Sequence, residues 1–181
     1  MNYLYNNLLT PPECTSIANS IFFNIALNKI KLEEGEDMTD GAKGYYDLPA
    51  ALKVVDKLDK VIKKDYGDNI VFENNYTRIY TNGCRLGIHV DRKELDITLS
   101  VCVFSNLDSQ WPIYISNDKL TEEDKLSNSY EKYKTNFEKF ETPVGAGVAC
   151  TGKINPHWRD ILYCSEEQSM IQSFFHWRYK C

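Results

Sequence analysis

The stretch Tyr76-Thr77-Arg78-Ile79-Tyr80-Thr81-Asn82-Gly83-Cys84-Arg85-Leu86-Gly87-Ile88-His89-Val90-Asp91 decides how this chain is read. Tyr76–Tyr80 is rich in β-forming residues, Asn82-Gly83 is a turn dipeptide, and Arg85–Val90 is extended again. In an extended segment, side chains two apart face the same way, so His89 and Asp91 project together from one strand end. An imidazole beside a carboxylate is two thirds of a metal-binding face. A lone His-x-Asp arises often by chance, so the third ligand matters. Only His157 and His176 remain as imidazole donors. His157, in Asn155-Pro156-His157-Trp158-Arg159, lies beyond several predicted strands, and antiparallel folds bring such distant strand ends together. Two histidines and one carboxylate on one side of a metal leave the other side open, which suits non-haem Fe(II) and O2.

Working outward, the C-terminal part reads as short strands: Tyr76–Tyr80, Arg85–Val90, Asp96–Ser105, Pro112–Ile115, Gly147–Thr151 and Ser169–Arg178. The N-terminal part reads as helices. Thr10-Pro11-Pro12-Glu13 combines an N-cap, a proline in the first turn and a capping-box glutamate. Ile17, Ile21 and Ile25, with Ala18 and Phe22, form the buried stripe of the helix it opens. A second helix is predicted over Leu48–Asp65, with Leu52, Val55, Leu58 and Ile62 on one face and Gly67 ending it. The polar segment Lys31–Tyr46 is predicted to be loop, and Ser116–Phe140 a long, partly helical insertion on the rim. Helices first and strands afterward define an α+β arrangement, with the helices on one face of a mainly antiparallel sandwich or barrel.

The 181 residues, 43% hydrophobic, suffice for one substantial core and not comfortably for two domains. A net charge of -5 makes nucleic acid an unlikely principal partner. No apolar run is long enough to span a bilayer, and the first ten residues lack a signal peptide's leading positive charge, so a cytoplasmic protein is expected. The six cysteines show no CxxC pair and read as buried free thiols.

With these motifs in place, the chain resembles the 2-oxoglutarate and Fe(II)-dependent oxygenase superfamily, and in it the prolyl-hydroxylase-like branch of small phage, viral and marine bacterial enzymes. The resemblance is carried by Tyr76–Tyr80 through His89-Val90-Asp91-Arg92, by Trp111-Pro112-Ile113-Tyr114-Ile115, and by His157-Trp158-Arg159-Asp160 with Gln172-Ser173-Phe174-Phe175-His176. It implies a double-stranded β-helix (jelly roll) over about 75–181 with a helical part over about 1–70, the whole of 1–181 forming one domain. It further implies Fe(II) held by His89, Asp91 and His157, 2-oxoglutarate as cosubstrate, O2 as oxidant, and hydroxylation of an amino-acid, peptide or small-molecule substrate with release of succinate and CO2.

Such a cosubstrate needs a cation for its distal carboxylate, and Arg is the natural choice because its planar fork matches a carboxylate. Relatives carry a basic residue about ten positions after the distal His, where this chain has Glu166-Glu167-Gln168-Ser169. Arg159, two residues after His157 and on the same face of an extended strand, is the expected replacement; Arg178 is the second candidate. Tyr80, Thr98 and Ser173 are expected to add hydroxyls. His176 reads as a structural histidine or pocket liner and as the fallback third ligand. Arg92 reads equally as a substrate contact, an orienting group for Asp91, or a surface residue. A cupin-like metalloprotein that does not use 2-oxoglutarate, and a jelly-roll binding module without catalysis, stand as alternatives.

Overall fold

A computed structural model describes residues 2–29, 41–127 and 130–180. The elements in chain order are β1 (Tyr3–Tyr5), α1 (Pro11–Ala26), β2 (Lys43–Tyr46), α2 (Pro49–Leu52), α3 (Val55–Tyr66), β3 (Ile70–Tyr80), β4 (Leu86–His89), β5 (Ile97–Ser105), β6 (Ile113–Ser116), α4 (Glu122–Ser127), a 3-10 turn (Glu131–Thr135), β7 (Phe137–Phe140), β8 (Gly147–Cys150), β9 (His157–Arg159) and β10 (Met170–Tyr179). The α+β expectation holds. All pairings are antiparallel, and the strands form a six-stranded sheet, β1-β8-β5-β10-β3-β2, and a four-stranded sheet, β4-β9-β6-β7.

The helices cover one face of the larger sheet. Alternate residues of its central strands, Ile97, Leu99, Val101 and Val103 on β5 and Ile171, Phe175 and Trp177 on β10, pack there against Ile17, Ile21, Leu58 and Ile62. Full burial of each such aliphatic or aromatic side chain is worth roughly 1.5–3 kcal/mol. The intervening residues Thr98, Ser100, Gln172, Phe174 and His176 point the other way. This alternation makes one face of the sheet a core and the other the wall of a site.

Helix α1 starts as predicted, with Pro11 in its first turn and the Glu13 carboxylate accepting the Thr10 backbone N–H at 2.7 Å. Ile17, Ala18 and Ile21 are buried, whereas Phe22 is largely exposed, its ring edge-on to Phe104. The single helix expected over Leu48–Asp65 is two, broken at Lys53-Val54. The break shifts the buried set to Ala51, Val54, Leu58 and Ile62 and leaves Leu52 exposed. Part of the expected loop Lys31–Tyr46 is strand β2, the edge partner of β3; its 31–40 portion lies outside the described residues. The insertion Ser116–Phe140 contains α4 and the 3-10 turn as expected. It also supplies β7, and it is pinned by Tyr133, whose hydroxyl donates to Asp124 at 2.6 Å. Strands β1, β2 and β7 add to the expected set, and β9 is the extended segment expected to carry His157 and Arg159.

Candidate metal centre

In the four-stranded sheet β4 pairs with β9 so that His89 lies opposite His157. Asp91, just past β4, is held by its backbone N–H on the Gly152 carbonyl at 2.9 Å. Its Oδ1 then stands 3.7 Å from Nε2 of both His89 and His157. Ligand atoms of these three residues lie within 4.8 Å of one another, the one such His/Cys/Asp/Glu group among the described residues.

Each imidazole is oriented in the same way. Nδ1 of His89 donates to the Gly87 carbonyl at 2.9 Å, and Nδ1 of His157 to the Asn155 carbonyl at 3.0 Å, in both cases two residues back. With the proton fixed on Nδ1, the Nε2 lone pair faces the aspartate, the tautomer a metal ligand requires. Burial, with His89 alongside, pulls the His157 pKa down to about 4, so this ring is neutral at physiological pH. Burial alone would raise the Asp91 carboxyl, but His157 and His89 outweigh it and hold the group well below the usual carboxylate range. The site therefore offers two imidazole nitrogens and one carboxylate oxygen, a donor set fitted to a divalent transition metal.

Residues around Asp91 fix its carboxylate. Thr98 Oγ1 donates to Oδ2 and so orients the Asp91 carboxylate. Gly152 lies against the same oxygen: a Cβ there would overlap Asp91 Oδ2 and stand 2.6 Å from Thr98 Oγ1. No signal in the sequence marked Gly152, because its role exists only once β5 and the β8–β9 connection meet.

The triad opens on a cavity between the two sheets, walled by Leu86, Ile113, Ile115 and Val148 and by Tyr46, Tyr76, Arg78, Arg92, Ser100, Phe174 and His176. His176 lines this cavity as expected and donates through Nδ1 to Asn74 Oδ1 at 2.7 Å; it is not in the metal-ligand group. Arg92 also lines it, its guanidinium 6.0 Å from the Tyr46 ring centre.

Arg159 lies deeper. Its side chain is 1% exposed, stacked 4.9 Å from the Trp111 ring centre and donating Nη1 to the Trp111 carbonyl, while Nε and Nη2 have no partner. Tyr80 is fully buried beside it, edge-on to Trp111. Ser173 is a correction. Its neighbour Phe174 lines the cavity, so strand alternation turns Ser173 to the opposite face, where it bonds Asn75 and Thr77 at 2.9 Å. Arg178 is likewise removed from the site: it is 44% exposed and paired with Glu73 at 2.6 Å. The residue missed in the sequence is Arg78, a buried cation in the cavity wall.

No family model and no curated protein matches this sequence. Solved structures do match, and the fold they share with this chain is that of 2-oxoglutarate-dependent oxygenases. The viral collagen prolyl hydroxylase vCPH of Paramecium bursaria Chlorella virus-1, in complex with 2-oxoglutarate, matches at 15% identity over 99% of this chain and 96% of its own, with a TM-score of 0.63. HygX of Streptomyces hygroscopicus, with nickel and 2-oxoglutarate bound, matches at 12% identity over 99% and 83%, TM-score 0.65. The non-haem α-ketoglutarate-dependent carbocyclase SnoK of nogalamycin biosynthesis matches at 8% identity over 98% and 80%, TM-score 0.76. At these identities the likeness is one of fold. Among the described residues no helix is long and apolar enough to cross a membrane.

Proposed function

We propose that this chain is an Fe(II)- and 2-oxoglutarate-dependent oxygenase that hydroxylates a small molecule or peptide. The observation that carries the reading is the convergence of His89, Asp91 and His157, each oriented by its own hydrogen bond, on a cavity between two antiparallel sheets. The fold of solved 2-oxoglutarate complexes around that triad supports it. Strands β3-β10-β5-β8 facing β4-β9-β6-β7 read as the eight strands of a double-stranded β-helix, with β1 and β2 as added edges, so 1–181 acts as one oxygenase domain. Free thiols at Cys14, Cys84, Cys102, Cys150 and Cys164 fit a reducing, cytoplasmic setting.

His89 Nε2, His157 Nε2 and Asp91 Oδ1 would hold the iron. When bound, iron and 2-oxoglutarate supply activation of O2, with succinate and CO2 released and an oxidant able to attack a C–H bond. The chain's own part is to bind, orient and exclude water. Thr98 and Gly152 fix the Asp91 carboxylate; Leu86, Ile113, Ile115 and Val148 keep the wall of the cavity dry.

Arg159 would take the distal carboxylate of 2-oxoglutarate. It follows His157 by two residues on β9, a span of about 6.6 Å along a strand, comparable to the reach of a five-carbon diacid. A fully buried guanidinium with two unpartnered nitrogens calls for an anion. Tyr80, beside Arg159, would add its hydroxyl to the same carboxylate.

The test is incubation with Fe(II), 2-oxoglutarate and ascorbate under ¹⁸O2. The reading expects succinate carrying one ¹⁸O atom, absent from an Asp91→Ala control. Unlabelled succinate, or none above that control, overturns it.

A further inference from the structure

The cavity holds more positive charge than an oxygenase cosubstrate neutralises. Among the described residues Asp91 is the only carboxylate in its lining, yet Arg78 is buried in the wall and Arg92 is exposed at it, with Arg159 fully buried on strand β9. With a divalent metal on Asp91 and a dianionic cosubstrate spanning metal and Arg159, one buried guanidinium keeps no counter-charge. Buried charges are normally paired.

Arg78 is 6% exposed and is held by aromatic rings: its Cζ lies 4.8 Å from the ring centre of Tyr76, 5.9 Å from Tyr80 and 5.8 Å from Phe174. Nη1 reaches the Tyr80 hydroxyl at 3.3 Å, while Nε has no acceptor. Across the β3–β10 pair Arg78 is opposite Gln172, itself fully buried. Ser100 donates to Gln172 Oε1 at 3.0 Å, leaving the amide Nε2 without an acceptor. Arg78 lines the cavity, and Gln172, paired with it across the strands, shares its side of the sheet without lining the cavity. Ring faces and an arginine fork suit a planar anion, and one remaining buried positive charge, the exposed Arg92 being solvated, suits a single negative one.

We infer that the organic substrate of this site carries a carboxylate, bound by Arg78 within the frame of Tyr76, Tyr80 and Phe174, with Gln172 beside Arg78 on the next strand. The inference rests on the oxygenase reading and deepens it by naming the substrate class.

The test uses protein loaded with Zn(II) and the unreactive cosubstrate analogue N-oxalylglycine, titrated calorimetrically with acetate, propanoate and benzoate and with the matching amides. At least one acid should bind at least thirtyfold more tightly than its amide. Arg78→Met should erase that difference while N-oxalylglycine affinity changes less than twofold, and Arg78→Lys should restore part of it because charge returns without the fork. Acids that bind no better than amides, or an acid preference that survives Arg78→Met, overturn the inference. So does a loss of N-oxalylglycine affinity in Arg78→Met as large as in Arg159→Met, which makes Arg78 the cosubstrate anchor and leaves the oxygenase reading standing. Failure of the wild-type protein to bind N-oxalylglycine with Zn(II) removes the oxygenase reading itself.

Discussion

Replacing Arg159 with Met should make the ligand-free protein more stable and the cosubstrate bind worse, two effects of opposite sign from one side chain. Burial pulls the guanidinium pKa from 12.5 down to about 10. At 1.36 kcal/mol per tenfold, that drop corresponds to roughly 3 kcal/mol of unfavourable desolvation. Both folded and unfolded forms are protonated at neutral pH and the folded pKa is the lower, so the penalty is fully present below pH 10 and fades only above it. Loss of the bond to the Trp111 carbonyl and of the stacking on its ring returns about 1–2 kcal/mol. Met keeps most of the stem's volume. The net expectation is a gain of about 1 kcal/mol, read as a rise of roughly 2–4 °C in Tm for a chain of this size. Truncating one partner of a buried ion pair costs on the order of 2–5 kcal/mol, so 2-oxoglutarate affinity should fall roughly thirtyfold to several thousandfold while metal affinity is little changed. Thermal denaturation without ligand and calorimetry with Zn(II) and 2-oxoglutarate provide both numbers. A variant destabilised by several kcal/mol that still binds 2-oxoglutarate normally would show Arg159 to be a structural support for Trp111, and the reasoning would fail.

Other perturbations follow from the same geometry. His89→Ala, Asp91→Ala and His157→Ala should each lose bound Fe(II) and all turnover while keeping a native far-UV spectrum, with metal content after reconstitution as the readout; full iron retention by His157→Ala and loss in His176→Ala would move the third ligand to His176. Gly152→Ala should weaken Fe(II) binding by about 10–100-fold without touching any ligand, because its Cβ displaces the Asp91 carboxylate; unchanged affinity would mean that the Asp91 carboxylate has room to move. The metal-free protein should lose stability as pH falls from about 6.5 to about 4, since His157 binds its proton less readily folded than unfolded, by up to roughly 3 kcal/mol. Urea midpoints across that range check the slope, and a flat profile contradicts the burial of a neutral His157.

The clustering of His89, Asp91 and His157 was legible because it depends on one regularity, the two-residue period of an extended strand, which places His89 with Asp91 whatever the rest of the chain does. Its second half needed only that β9 return beside β4, as antiparallel folds arrange. The pocket was less legible because the larger sheet is buried on both faces, and period-two alternation then fails to say which face is which. Ser173 is expected in the cavity where Phe174 and His176 line it instead, a slip of one residue that exchanges the two sides. Arg78 sits in an equally clear alternation, Tyr76-Arg78-Tyr80 against Thr77-Ile79, but nothing local distinguished cavity from helix layer. The edge strands β1 and β2 and the three-residue β9 are too short to carry a pattern, and their pairing comes from neighbours distant in sequence. The break at Lys53-Val54 was hidden because the residues on both sides keep helical spacing.

The central claim, that His89, Asp91 and His157 hold a metal on which 2-oxoglutarate binds with Arg159 at its far end, is tested most directly by anaerobic titration of the Fe(II)-loaded protein with 2-oxoglutarate, followed by visible absorption. The account predicts a weak charge-transfer band that saturates at one equivalent, is missing in Asp91→Ala, and needs far more cosubstrate in Arg159→Met. Absence of the band in wild-type protein that retains its iron would contradict it.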